Sequence, residues 1–222
     1  MPQPDAARAF LDEAYQRMLA HFGPTEWWPG DTPFEIAIGA ILTQNTAWTN
    51  VEKAIDNLKA HRLLSPKALR DADDDTLHAA LRPSGYFRQK SLRVRTFSAY
   101  LIDHYQGSIA RMAKRPLREL RAELLSLNGI GPETADDILL YACELPTFVV
   151  DTYTRRILSR HGWVPDTISY EPLRHFFESH LPADVPHWKE FHGLLDYTGK
   201  HYCRTKPQCE GCPLQPMLSL AP

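Results

Sequence analysis

Three kinds of segment are missing from this sequence. No apolar run approaches the ~18 residues of a membrane-crossing helix, so no membrane association is expected. No stretch alternates apolar and polar residues for long enough to make a half-buried strand, and Thr147-Phe148-Val149-Val150 is too short to count as one. The N-terminus carries Pro2, Pro4, Asp5 and Arg8 ahead of an amphipathic helical pattern, which lacks the charged and apolar blocks of a signal peptide. A cytoplasmic protein is therefore expected. Internal repeats and low-complexity linkers are absent as well.

A strong net charge is also lacking. The 222 residues sum to −2, with 43% hydrophobic and 23% charged side chains, and a pI near 6.5. That is an ordinary globular profile, sized for one compact unit or two small lobes. The balance weighs against nucleic-acid binding, but its distribution is uneven. Ten Lys and Arg (Arg82, Arg88, Lys90, Arg93, Arg95, Arg111, Lys114, Arg115, Arg118, Arg121) face only Asp103 and Glu119 over residues 82–121. Acids gather elsewhere, at Asp71, Asp73, Asp74 and Asp75. A segregated basic face, with Arg88, Lys90, Arg93 and Arg95 at its centre, could follow a phosphate backbone; a solvated helix surface would look the same. The four cysteines, Cys143, Cys203, Cys209 and Cys212, are crowded toward the C-terminus without secretory features, which favours metal ligation over disulfides. Cys143 reads as a small buried residue.

Helical periodicity covers 5–21, 34–42, 46–60, 66–71, 75–81, 89–105, 116–127, 132–143, 152–161, 171–179 and 187–200, with Pro, Gly and Asp between them. The expected fold is all-α. Residues 204–216, with Pro207, Gly211, Pro213 and Pro216, read as an irregular loop around the cysteines.

The most informative run is 117–142, LRELRAELLSLNGIGPETADDILLYA. Leu117, Leu120, Leu124, Leu125 and Leu127 stripe one helix; Ala135, Ile138, Leu139 and Ala142 stripe the next. Between them, Asn128-Gly129-Ile130-Gly131-Pro132 makes a tight reversal. The glycines permit positive φ and Pro132 suits the first helical turn. Backbone N–H groups left over at such a turn bind an anion such as a DNA phosphate without reading bases. Downstream, Asp151 follows three apolar residues and precedes a helix rich in arginine, where a carboxylate caps the free N–H groups.

Leu127–Ala135, followed by Phe148-Val149-Val150-Asp151, resembles the helix-hairpin-helix DNA glycosylase superfamily of endonuclease III. So do Phe34-Glu35 through Leu42-Thr43-Gln44-Asn45-Thr46, Arg82-Pro83-Ser84-Gly85-Tyr86-Phe87-Arg88-Gln89-Lys90, Phe191-His192-Gly193 and the terminal cysteines. The resemblance covers nearly the whole chain. It implies a six-helix barrel lobe with the hairpin (33–146) and a lobe from both termini (1–32 and 147–222) carrying an iron–sulfur loop. It further implies a monomer acting on double-stranded DNA that contains a damaged base, associated with the nucleoid. Asn128, Gly129, Ile130 and Gly131 would hold the phosphate, Gln44 would fill the gap left by a flipped base, and Tyr86 would wedge the opposite strand.

In that family the aspartate at the position of Asp151 stabilises the oxocarbenium character of the breaking glycosidic bond and orients water. Members that also cleave abasic DNA carry a lysine where this chain has Glu133, and no lysine occurs between Lys114 and Lys189. The amine for Schiff-base chemistry is thus absent at its usual place. Glu133, Trp27-Trp28-Pro29, Gln44-Asn45-Thr46 and the R-P-S-G run look closest to the type III 3-methyladenine DNA glycosylases, monofunctional enzymes on alkylated purines. Trp27, Trp28 and Trp48 are then the candidate base pocket, since indole faces attract cationic purines; each could equally be a core tryptophan. Cys203-x5-Cys209-x2-Cys212 resembles the family's [4Fe–4S] loop, with Leu218 where a fourth cysteine is expected. A cluster with a non-cysteine fourth ligand is the expectation; a three-iron cluster, zinc or no metal are the alternatives. A binder that recognises lesions without excising them, or an enzyme with endonuclease III-like pyrimidine specificity, would carry the same motifs.

Overall fold

The computed structural model describes residues 4–220, and among them it contains twelve α-helices and no strand. The chain divides into two compact units, Pro29–Leu145 and Met1–Trp28 with Pro146–Pro222. No helix among the described residues is long and apolar enough to cross a membrane. The all-α expectation holds. Of the helices, α1 (Pro4–Phe22) belongs to the second unit; α2 (Pro33–Leu42), α3 (Trp48–Ala60), α4 (Pro66–Asp71), α5 (Asp74–Leu81), α6 (Phe87–Tyr105), α7 (Ile109–Met112), α8 (Leu117–Ser126) and α9 (Pro132–Asp137) build the first; α10 (Thr152–Arg160), α11 (Tyr170–His180) and α12 (Val185–His201) complete the second. The one-turn helix α7 lies in a stretch too short for periodicity to reveal, and Ser108 caps it through the Arg111 amide.

In the unit Pro29–Leu145, α2 is central because it is apolar almost all round: every residue but Pro33 and Ile36 is buried. Thr32 starts it, its hydroxyl accepting from the Glu35 amide at 3.1 Å, and Pro33 occupies the first turn. The buried Glu35 carboxylate is matched by Lys59 of α3 at 2.7 Å. Leu120 and Leu124 are the only residues of the expected leucine stripe that are fully buried, whereas Ala135, Ile138, Leu139 and Ala142 all are. After Asp137 the helix widens into a π-helical turn, Ile138–Ala142.

The other unit is built on aromatic packing. Phe148 stacks on Phe177 of α11 at 4.0 Å and 6°, with Trp188 and Phe191 of α12 edge-on to it. Residues 147–150 belong to no helix and are entirely buried. Their polar groups are not stranded, because the Phe148 amide and the Thr147 hydroxyl both donate to Glu178 (2.9 and 3.2 Å). From α1, Ala7, Phe10, Leu11, Ala14 and Met18 face inward at helical spacing. Helices α10 and α12 approach closely because residue 199 is glycine; a Cβ there would lie 2.4 Å from the Tyr153 ring.

Candidate functional site

In the unit Pro29–Leu145 the hairpin turn is Leu127–Gly131. Gly129 takes φ +86°, a conformation only glycine adopts cheaply, and Ile130 is buried beneath the turn with its amide on Leu127 O at 3.1 Å. Gly131 does not need positive φ: it is the extended N-cap of α9 (φ −91°), and no side chain caps the helix there. Of the two glycines that permit positive φ, only Gly129 adopts it. Asn128 and Glu133 are exposed on either side.

Gln44 is folded against this turn. Its amide nitrogen donates to Gly129 O (3.0 Å) and Thr134 Oγ1 (2.8 Å), and its oxygen accepts from Arg93. Arg93 also lies where a Cβ on Gly129 would stand, 2.6 Å away. Tyr86 projects from the N-cap of α6 with φ +44° and is 66% exposed, the most exposed large hydrophobic among the described residues. Between these two loops lies Lys90. It is completely buried, and its ammonium donates to Leu42 O (2.8 Å), Thr46 Oγ1 (2.7 Å) and Ser84 O (2.6 Å). Among the described residues no carboxylate partners it. Burial, with a lesser push from the Arg93 charge, lowers its pKa to about 8.

The centre of the basic face expected of residues 82–121 is therefore corrected, while Arg82, Arg111, Lys114, Arg115 and Arg118 of the same segment are exposed. Lys90 is inside, Arg93 is bonded to Gln44, and Arg95 donates to Ala72 O (2.7 Å) and Asp74 (2.8 Å). Arg115 pairs with Glu119 and Glu123, and Arg121 with the buried Asp136 at 2.7 Å. Of the central four only Arg88 is exposed.

In the other unit, Asp151 caps α10. Its Oδ1 accepts from the Thr154 amide (2.7 Å) and the Thr154 hydroxyl (2.8 Å), which leaves Oδ2 outside the cap. Two buried groups of α12 feel its charge. Burial holds the His192 imidazole below its usual value, opposed by the Asp151 and Asp196 carboxylates. Burial raises Asp196, and the Asp151 charge adds to the rise, while its ion pair with Lys200 (2.7 Å) works against it. Lys200 also lies 5.1 Å from the centre of the Trp27 ring. Trp27 rests on α12 because residue 193 is glycine; a Cβ there would be 2.7 Å from the Trp27 Cβ. The Thr25 amide donates to Glu190 at 2.6 Å and pins the same segment. Trp28 packs edge-on to Trp27 at 5.9 Å. Trp48 belongs to the other unit, as the first residue of α3.

Cys203, Cys209 and Cys212 line one small cavity together with Leu218 and His161. Cys203 is buried, and its sulfur accepts from Arg160 at 3.3 Å. Burial raises the Cys212 thiol, and the neighbouring Cys203 and Cys209 charges raise it further. The cavity thus places three sulfurs within electrostatic reach of one another. Among the described residues, however, no three such side chains gather closely enough to hold a single metal ion. His161 offers no ready ligand, since both ring nitrogens sit against carbonyls, Ile157 O at 2.8 Å and Leu214 O at 3.2 Å. Cys143 is buried in the other unit.

A hairpin followed by a capping aspartate can be compared with known proteins. The profile of the HhH-GPD superfamily of base excision DNA repair proteins matches residues 38–183. The chain belongs to that superfamily. A protein of Methanocaldococcus jannaschii that carries the name of a DNA repair glycosylase is 42% identical over 90% of this chain and 92% of its own length. The H. pylori 3-methyladenine DNA glycosylase bound to 1,N6-ethenoadenine superposes with a TM-score of 0.76 at 28% identity, covering 87% of this chain and 97% of its own. Endonuclease III in a non-covalent DNA complex gives a TM-score of 0.80 at 25% identity, over 100% and 96% of the two chains. The superfamily resemblance read from the motifs is confirmed.

Sequence reasoning missed Asp196 and Lys200, which reach the Asp151 neighbourhood only because α10 packs on α12. It also misplaced Lys90. The available signal was spacing: Lys90 stands four and seven residues before Val94 and Phe97, on the buried stripe of α6. The burial of Lys90 has a pH signature. The folded chain holds its pKa near 8, against 10.5 ordinarily. Between those values the unfolded chain binds more protons, so this group makes stability rise with pH there and contributes no slope below pH 8. In urea unfolding, wild type should gain on Lys90→Met by up to about 1.4 kcal/mol per pH unit above pH 8. Parallel pH profiles for the two proteins would place the ammonium in solvent.

Proposed function

We propose that this base excision repair protein is a monomeric DNA glycosylase acting on double-stranded DNA. It hydrolyses the N-glycosidic bond of a damaged base, an alkylated purine, and stops at the abasic site. The observation that carries the reading is the division of labour at Asp151: Oδ1 is fixed by the helix cap, and Oδ2 remains for the sugar. Bond breaking separates the base with the bonding electron pair and leaves positive charge on the sugar. A fixed carboxylate stabilises that charge and orients the water whose oxygen bonds C1′. Burial keeps His192 neutral beside Asp151, so no second positive charge opposes the first.

The purine preference draws support from the H. pylori relative, solved with an etheno-purine, and from Trp27. Its ring already faces one cation, Lys200, and an indole that accommodates an ammonium suits a cationic alkylated base. The absence of a lyase step draws support from Glu133, a carboxylate where amine chemistry would require lysine. Lys200 is paired with Asp196 and would have to lose both a proton and that partner before attacking a sugar. On the DNA side, Asn128, Gly129, Ile130 and Gly131 present the phosphate-binding turn, with Gln44 as plug and Tyr86 as wedge.

Cys203, Cys209 and Cys212 fit three corners of a [4Fe–4S] cluster, with a fourth ligand from outside the cysteines. An all-sulfur donor set in one cavity, with the Arg160 guanidinium on Cys203, suits an anionic cluster. When bound, such a cluster would brace the loop that carries Arg204 and Lys206. Protein purified without oxygen should contain iron and sulfide in equal amounts. Stoichiometric zinc, or neither element in protein of full DNA affinity, would reject the cluster.

Two experiments test the chemistry. Borohydride present during incubation with abasic duplex should trap no covalent adduct; trapping that disappears in Lys200→Ala would make Lys200 a lyase nucleophile. Asp151→Asn keeps the cap and removes the charge. Release of 3-methyladenine should fall at least ~100-fold, while lesion-dependent binding persists. Wild type that binds damaged duplexes preferentially yet releases no base from any would be a lesion binder, and the hydrolytic reading would fail.

A further inference from the structure

We propose that Lys90 is a positioning residue that locks the Gln44 loop (43–47) and the Tyr86 loop (82–86) into one element, so that plug and wedge enter a duplex together. The proposal rests on the reading of Gln44 and Tyr86 as DNA-facing groups. It assigns Lys90 an interior role that neither its charge nor its place in a basic segment suggests.

The geometry is specific. An ammonium has three N–H donors and no acceptor; here each donor meets one oxygen, and the three oxygens belong to three different structural devices. Leu42 O is the end of α2, where carbonyls lack helical partners. Thr46 Oγ1 belongs to the Gln44 loop. Ser84 O closes the 3₁₀ turn Arg82–Ser84 that leads into Tyr86. Thr46 then donates to the same Ser84 oxygen at 2.5 Å, so the two loops are joined directly as well as through Lys90.

The Tyr86 loop needs such an anchor. Gly85 (φ +68°) and Tyr86 (φ +44°) form consecutive left-handed residues, and the Tyr86 side chain is largely in solvent. Its placement therefore depends on where the Ser84 carbonyl is held. The Gln44 loop is similar: Asn45 is left-handed at φ +54°, and the loop is fixed by Gln44 on the hairpin at one point and by Thr46 on Lys90 at another. A methionine of similar length would fill the same volume without the cost of burying a charge. What it could not do is hold three oxygens from separate loops at once.

Positioning predicts a defect confined to the step in which the loops invade the stack. The test uses Lys90→Met and Thr46→Val, the second removing one acceptor and its onward bond while conserving shape. Single-turnover release of 3-methyladenine is measured from a fully paired duplex and from a duplex where the same nucleotide sits in a one-nucleotide bulge. Loss of registration should cost Lys90→Met about 100-fold on paired DNA and Thr46→Val roughly tenfold, with both near wild type on the bulge. Affinity for undamaged duplex and its salt slope should stay unchanged.

Equal losses on both substrates would mean that Lys90 only supports the fold, and full activity on both would mean that the loops need no lock; either overturns the proposal. A salt slope flatter by one would overturn it too, by placing Lys90 on a phosphate. If Lys90→Met does not fold, Thr46→Val alone decides. If wild type releases no base at all, the hydrolytic reading has failed separately. The lock is then read from 2-aminopurine placed beside the lesion: unstacking fluorescence produced by wild type and lost in the variants supports it, and equal fluorescence rejects it.

Discussion

An α-helix leaves its first four N–H groups and its last four carbonyls without partners of its own. In an all-helical chain this constraint recurs at every boundary, and the candidate residues of this protein lie where it is met in different ways. Asp151 is an N-cap. Tyr86 stands at the N-cap of α6, and Gly131 at that of α9. Lys90 serves the C-terminal end of α2. Purely structural caps at Thr32, Ser65, Asp73, Ser108 and Asp184 use a hydroxyl or carboxylate in the ordinary way. The boundaries offered here as functional differ from these. No side chain caps α9 at Gly131, and the cap at Tyr86 is a left-handed residue with an exposed ring, while Asp151 caps through Oδ1 as Asp73 and Asp184 do and is set apart by the buried His192 and Asp196 that its charge reaches.

The cap at Asp151 and the catalytic role proposed for it do not compete. A cap needs a single acceptor, and a carboxylate has two oxygens with four lone-pair sites. The Thr154 amide and hydroxyl both donate to Oδ1 and so fix the orientation of the carboxylate. Around it, α12 contributes the buried His192 imidazole, held below its usual pKa by burial, and the buried Asp196 carboxylate, whose partner Lys200 reaches it from an exposed position. The glycines at 193 and 199 make this possible by letting Trp27 and Tyr153 lie against the α12 backbone.

The fold was legible in the sequence because long amphipathic helices advertise themselves by period, and eleven of the expected segments coincide with helices to within a few residues. The hairpin was legible because a tight reversal demands glycine and proline at fixed places. The fates of individual charges were not. Whether an arginine meets solvent, a carboxylate or a loop amide depends on which helices pack together. Thus Arg121 finds Asp136, Arg93 finds Gln44, and Lys90 finds three oxygens 6 to 48 positions away in the chain. Asp196 and Lys200 were invisible beside Asp151 for the same reason: the proximity of α10 and α12 is a packing result, with Gly199 its only local trace.

The balanced net charge then takes on a meaning opposite to its first reading. Backbone N–H groups at a hairpin and an uncapped helix start are a means of binding phosphate that needs no cation, and it is the one proposed for this chain. They carry no net charge, so the sequence total of −2 does not register them. They are also fixed by the fold, whereas a lysine side chain must be ordered at an entropic cost when it meets a phosphate. Arg93, Arg95 and Arg121 hold helices and loops together from part-buried positions, so these three cations serve the geometry of the unit rather than its surface charge. The loops that present Gln44, Tyr86 and the hairpin are joined through Arg93 and Lys90 within one unit. The cations withdrawn from the surface are the ones that make that geometry rigid.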